Sequence, residues 1–301
     1  MNTSVEIAGV KFKNPVMTAS GTFGSGMEYS DFVDLNRLGA VVTKGVSNVP
    51  WEGNPTPRVT EVYGGMLNAI GLQNPGLDVF LKRDLPFLEQ FNTRRIVNVC
   101  GHTNEEYVKA VEILSESSAD ILEINISCPN VKAGGITFGT VPKMAEEITK
   151  AVKAVAGKKP VFMKLSPNVT DITEIAKAVE AGGADGISLI NTLLGMKIDI
   201  RRRAFALANK TGGLSGPAVK PVAVRMVYQV ANTVKLPLIG MGGIACAEDA
   251  IEFLMAGATA VSVGTANFHN PKVTEEIVSG IEAFLTEQKI ADINEILGCV
   301  R

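Results

Sequence analysis

Short apolar runs recur along the chain, and between them the apolar positions change to a helical period. Eight of these runs read as strands, ending near Ser20, Lys44, Gly101, Ser127, Ser166, Asn191, Gly243 and Thr265. Most are near-continuous in Val, Ile and Leu, the pattern of strands covered on both faces. The stretches between them carry helix signals. Thr103 or Asn104 suits the cap of a helix bearing Tyr107, Val111 and Leu114, Asp171 that of a helix bearing Ile175 and Val179, and Pro217 a first helical turn. Gly157, Gly182 and Gly257 stand where three helices would stop. Strand–helix alternation repeated in this way predicts the α/β class and a single parallel (β/α)₈ (TIM) barrel domain over residues 1–301. A leading alternation, Val5-x-Ile7 and Val10-x-Phe12, predicts a small hairpin plugging the barrel bottom.

Two connections exceed a plain βα unit, one from Val46 to about Arg95 and one from Leu193 to about Leu236. Long connections usually carry function or disorder. The first opens with Pro50, Trp51, Gly53, Asn54, Pro55 and Pro57, a mobile-loop composition, and leads into Asn68-Ala69-Ile70-Gly71-Leu72. The second holds Arg201-Arg202-Arg203, read as a solvated loop face, and Gly212-Gly213-Leu214-Ser215-Gly216.

Composition narrows the partners. With 301 residues, 46% hydrophobic, the chain can bury a full core. A formal charge of −2 and no basic stripe disfavour nucleic acid or an anionic membrane. No apolar run approaches the ~20 residues that span a bilayer, and the N-terminus lacks a signal-peptide pattern. Four cysteines (Cys100, Cys128, Cys246, Cys299) show no C-x-x-C spacing, so neither a disulfide framework nor a zinc or iron–sulfur site is expected. A reduced, cytoplasmic protein is the natural reading. Cys100 reads as core packing, and Cys246 as a mildly acidified thiol opening a helix. Two histidines, His102 and His269, give no basis for a histidine metal site.

Candidate chemistry gathers at strand ends. Ser20, Lys44, Asn98, Asn125, Lys164 and Asn191-Thr192 are polar residues with no evident core role, and in a barrel those ends share one mouth. Carboxylates are missing from most of these ends, which disfavours metal or glycosidase chemistry. Gly240-Met241-Gly242-Gly243 and Gly264-Thr265 close the last two strands, where backbone N–H groups bind a phosphoryl group; a tight βα turn would explain either alone equally well, but two on adjacent final strands favour a phosphate cradle. Gly21 to Gly26 is weaker, because its spacing departs from a dinucleotide fingerprint. Asn125-Ile126-Ser127-Cys128-Pro129-Asn130 is the most telling segment. Its thiol, with an ordinary pKa near 8.5, suits proton transfer beside a flat ligand held by amides. Most free cysteines are small buried hydrophobes. Position favours function here, since the chain has already left the strand and Pro129 forces a turn. Lys164 suits a cation at a flavin edge or, alternatively, a Schiff-base nucleophile.

Taken together, these segments resemble dihydroorotate dehydrogenase over nearly the whole chain, from Thr18-Ala19-Ser20-Gly21 to Gly264-Thr265. The resemblance implies FMN contacts at Ser20, Lys44, Gly45, Asn98, Asn125, Lys164, Ile190, Gly216, Gly242, Gly243, Gly264 and Thr265. It implies substrate contacts at Lys44, Asn68, Ala69, Ile70, Gly71, Leu72, Asn125, Asn191 and Thr192, with Cys128 as catalytic base and no metal. Dihydroorotate would lose its C5 proton to Cys128 and hydride from C6 to FMN. Gly134-Gly135-Ile136-x-Phe138-Gly139-Thr140 and Gly212 to Pro217 look like the 1B form, although Val141 stands where an acidic residue is expected. That form implies a homodimer assembled into a heterotetramer with a subunit carrying FAD and a [2Fe–2S] cluster, which passes electrons to NAD⁺. A fumarate-linked 1A enzyme, a dihydropyrimidine dehydrogenase-like flavoenzyme, a Schiff-base sugar-phosphate aldolase and a non-catalytic phosphate-binding barrel are the alternatives.

Overall fold

The computed structural model describes residues 1–127 and 138–300. Eight parallel strands close into a barrel: β1 (Val16–Thr18), β2 (Ala40–Val42), β3 (Arg94–Val99), β4 (Ile121–Asn125), β5 (Val161–Lys164), β6 (Gly186–Leu189), β7 (Leu238–Met241) and β8 (Ala260–Val263). Each pairs with its neighbours in chain order, and β8 closes on β1 through Val261 opposite Val16. The near-continuous apolar runs arise because one face packs inside the barrel and the other beneath helices. Inside, Phe162 fills the space that a side chain at position 186 would need, so Gly186 faces its ring. Removing that ring would cost about 3–5 kcal/mol.

Outer helices span Asn104–Ser115, Pro142–Val155, Ile172–Ala181, Lys220–Ala231, Ala247–Met255 and Val273–Glu287. Thr103 and Asp171 cap as their sequence predicts, accepting from the backbone N–H of Glu106 and Thr173. Gly157 and Gly257 follow their helices with positive φ. At the third site, Gly182 remains right-handed and Gly183 adopts the left-handed turn, one residue later than expected. Strict alternation fails between β1 and β2, where only the 3₁₀ turns Met27–Tyr29 and Leu35–Arg37 occur among the described residues. Positive φ at Gly21, Gly24 and Gly26 keeps that segment from continuing as a helix.

The N-terminal strands Val5–Ile7 and Val10–Phe12 form the expected antiparallel hairpin. It lies at the amino ends of the barrel strands, where Arg94 Nε donates to Lys11 O at 2.8 Å, and it buries Val5, Ile7 and Phe12 in the main core.

At the opposite end the two long connections meet. Val59–Val62, Gly65–Asn68, Thr211–Ser215 and Leu193–Met196 pair into one antiparallel sheet. Residues 50–57, expected to be mobile from composition, are tied by backbone bonds: Trp51 N–H donates to Asn74 O at 3.0 Å and Asn54 N–H to Ile70 O at 2.9 Å. Gly53, at φ +79°, lets the chain pass close to the Ile70 carbonyl. Arg201, Arg202 and Arg203 are exposed, as expected.

Candidate active site

A cavity opens where the carboxyl ends of the strands meet the four-stranded sheet. The barrel contributes Ser20 after β1, Lys44 and Gly45 after β2, Asn98 on β3, Asn125 on β4, Lys164 on β5, and Ile190, Asn191 and Thr192 after β6. Gly242, Gly243, Gly264 and Thr265 line it from beyond β7 and β8. The sheet adds Asn68, and the segment that follows its strand adds Ile70, Gly71 and Leu72. Among the described residues, Lys44 and Lys164 are its only charged lining side chains, so it favours an anionic or electron-rich ligand.

Two proposed contact residues stand apart. Ala69 is fully buried against Leu67 and Leu207 instead of facing the cavity, because its position alternates with Asn68 and Ile70. Gly216 lies just behind the lining, where its φ of +100° lets the carbonyl approach Gly243. Cys128, Pro129, Asn130, Gly134, Gly135 and Ile136 lie outside the described residues. Cys100 is buried. Cys246 precedes the helix Ala247–Met255, but burial pushes its thiol up, with the Glu248 and Asp249 side chains adding to the rise. The expectation of an acidified thiol is therefore corrected: desolvation outweighs the helix terminus.

The amides are oriented by their neighbours. Asn125 Oδ1 accepts from Ser127 Oγ at 2.8 Å and from Ser127 N–H at 3.3 Å, which leaves its Nδ2 as the donor available to a ligand. Asn191 Nδ2 donates to the same Ser127 hydroxyl at 2.7 Å, while its Oδ1 accepts from the Thr192 N–H. Ser127 thus joins two lining asparagines immediately before position 128. Tyr107 Oη donates to Asn125 O at 2.6 Å and fixes the end of β4.

Three features escaped sequence reasoning. Glu123, inside the apolar β4 run, is 1% exposed and accepts from Asn98 Nδ2 at 2.6 Å. Asn74 accepts from Ser47 and Gly76 and donates to Leu72 O at 2.9 Å, tethering the substrate-side loop to the segment after β2. Met66, Leu214, Val219 and Phe268 add an apolar wall. An isolated polar letter in a strand gave a signal only for Glu123.

A sequence model described as dihydroorotate dehydrogenase matches residues 2–285. The chain belongs to the dihydroorotate dehydrogenase family. It is 71% identical over 301 residues to the "Dihydroorotate dehydrogenase B (NAD(+)), catalytic subunit" of Lachnoclostridium phytofermentans, covering 100% of both chains. It is 65% identical over 297 residues to the protein of the same description in Alkaliphilus oremlandii, covering 99% of this chain and 98% of that one. A crystal structure of DHODH in complex with ferulenol, from Eimeria tenella, superposes with a TM-score of 0.83 at 24% identity, over 99% of this chain and 88% of that one, and supports the barrel fold. Membership of the dihydroorotate dehydrogenase family bears out the resemblance read from the sequence and sets aside the aldolase and non-catalytic readings. No helix among the described residues is long and apolar enough to cross a membrane.

Proposed function

We propose that this chain oxidises dihydroorotate to orotate in pyrimidine synthesis, as the FMN-binding catalytic subunit of an NAD⁺-linked assembly in the cytoplasm. The observation that carries the reading is the mouth itself, where two lysines, oriented amides and a glycine cradle converge on a chain 71% identical to such a subunit. FMN suits the residues present. Gly242 and Gly243, at φ +126° and +81°, expose backbone beyond β7, and a Cβ on Gly243 would lie 2.8 Å from Lys220 N. Gly264 and Thr265 provide the matching turn beyond β8, where such barrels hold phosphate. Asn98 Oδ1 and Ser262 Oγ are buried without a hydrogen-bond partner among the described residues, which suits a polar ligand above them.

Bound FMN would supply the acceptor for hydride leaving C6 of the substrate. Cys128 would take the proton from C5, whose acidity comes from the adjacent carbonyl. Asn68, Asn125, Asn191 and Thr192 would hold the substrate ring and Lys44 its carboxylate, with Ile70, Gly71 and Leu72 closing the same side. Support for Cys128 lies in the family resemblance and in Ser127, bonded to both asparagines. Ser20, Gly45, Lys164 and Ile190 complete the proposed FMN contacts, with Gly216 supporting the Gly243 turn from behind. Electrons would leave through a partner carrying FAD and a [2Fe–2S] cluster, in a heterotetramer built on a homodimer of this chain. Assay of the FMN-loaded chain with dihydroorotate and dihydrouracil tests substrate choice: turnover confined to dihydroorotate is expected, and preference for dihydrouracil would overturn the assignment.

A further inference from the structure

Glu123 is a carboxylate in the middle of a strand whose other residues are all buried. Removing such a charge from water is costly and persists only with compensating partners. Both of its partners line the cavity, whereas Glu123 does not. Its Oε2 accepts from Asn98 Nδ2 at 2.6 Å and lies 3.9 Å from the Lys164 ammonium. The Lys164 ammonium also donates to Ser20 Oγ at 3.3 Å, across the barrel mouth. Strand register produces this arrangement. Glu123 sits opposite Asn98 on β3, and Asn125, two residues further along the same face, sits opposite Lys164 on β5.

We propose that Glu123 is a positioning residue for the FMN pocket: it restrains the Lys164 ammonium and sets the Asn98 amide with its oxygen toward the ligand. This inference rests on the FMN reading above. An ionised carboxylate only accepts hydrogen bonds, so Asn98 must turn its NH₂ group toward Glu123. Asn98 Oδ1, buried and unpartnered among the described residues, is thereby left as an acceptor for a ligand N–H. The same carboxylate offsets part of the Lys164 charge and keeps the ammonium low in the mouth. Glu123 therefore tunes how strongly this cation favours the reduced, more negative flavin. A Glu–Lys pair that served packing alone would be replaceable by apolar residues without changing the flavin.

The test uses FMN-loaded parent, E123Q, K164Q and the E123Q/K164Q double variant, measuring flavin midpoint potential and FMN dissociation constant. Glutamine keeps an acceptor for Asn98 but removes the negative charge and turns its own NH₂ toward Lys164. E123Q should bind FMN within about threefold of parent and shift the oxidised-to-reduced equilibrium about tenfold toward reduced flavin, a rise of about 30 mV for a two-electron couple. K164Q should shift it the other way. In the K164Q background, the added E123Q change should move the equilibrium less than about threefold, because its effect passes through the lysine. E123L, which offers neither charge nor acceptor, should weaken FMN binding at least tenfold; if that variant does not fold, E123Q still decides the matter. An unaltered potential in E123Q, or an equal shift with and without Lys164, overturns the inference while leaving the FMN reading intact. A parent chain that binds no FMN overturns both.

Discussion

At the scale of single residues, Cys128 is the proposed site of proton removal and its neighbours the proposed orienting groups. Replacing Cys128 with Ala should leave FMN bound and slow flavin reduction by dihydroorotate about 10²–10⁴-fold, the usual share of a general base. For the parent, reduction rates should climb with pH through the thiol range near 8.5, because the thiolate is the effective base. Stopped-flow rates near those of the parent, or independent of pH, would exclude the thiol. Asn74 acts at greater distance, since its amide joins Ser47 and Gly76 to the carbonyl of Leu72. Asn74→Ala should lower stability by about 1–3 kcal/mol, as buried donors and acceptors lose partners. It should also raise KM for dihydroorotate more than it lowers kcat, which steady-state kinetics with a denaturant melt would check. Most polar residues around the mouth were legible because each interrupts an apolar run. Glu123 interrupts one too, but its role was not legible, because sequence order hides that Asn98 and Lys164 flank it on adjacent strands.

At the scale of elements, each expected strand end lies two residues beyond the end of the ladder, as with Ser20 after Thr18 and Asn191 after Leu189. The switch from apolar to polar letters marks the barrel mouth, where side chains meet the ligand, and the ladder stops earlier as neighbouring strands diverge. The sheet over the mouth was not legible at all. Thr211–Ser215 contains two glycines and reads as a turn, and its partner Gly65–Asn68 is distant in sequence. Only folding reveals that Gly213 sits opposite Asn68. Beyond β7, Gly243 tests the cradle: at φ +81°, a methyl group would press on Lys220 N and the Gly216 carbonyl. Gly243→Ala should store about 1–3 kcal/mol of strain there and weaken FMN binding, measured by flavin fluorescence, without loss of the barrel's far-ultraviolet dichroism. Undiminished FMN affinity would move the phosphate site elsewhere.

At the scale of the whole molecule, eight apolar strand segments sufficed to specify the closed barrel, even though the β1–β2 connection lacks a full helix among the described residues. A parallel strand must return through a crossover and every face must be covered. We read residues 1–301 as one domain on the same ground. Assembly is less accessible to such reasoning, because docking surfaces carry no period. The proposed electron path predicts that this chain, loaded with FMN, reduces NAD⁺ with dihydroorotate only when the FAD and iron–sulfur subunit is added. NADH formation by the chain alone, or fumarate reduction in its place, would reassign the acceptor. The most direct test of the central claim is anaerobic mixing of the purified, FMN-reconstituted chain with dihydroorotate while its visible absorbance is followed. Bleaching of a bound yellow flavin with one orotate formed per flavin is the predicted result, and a chain that takes up no flavin, or whose flavin stays oxidised, would contradict it.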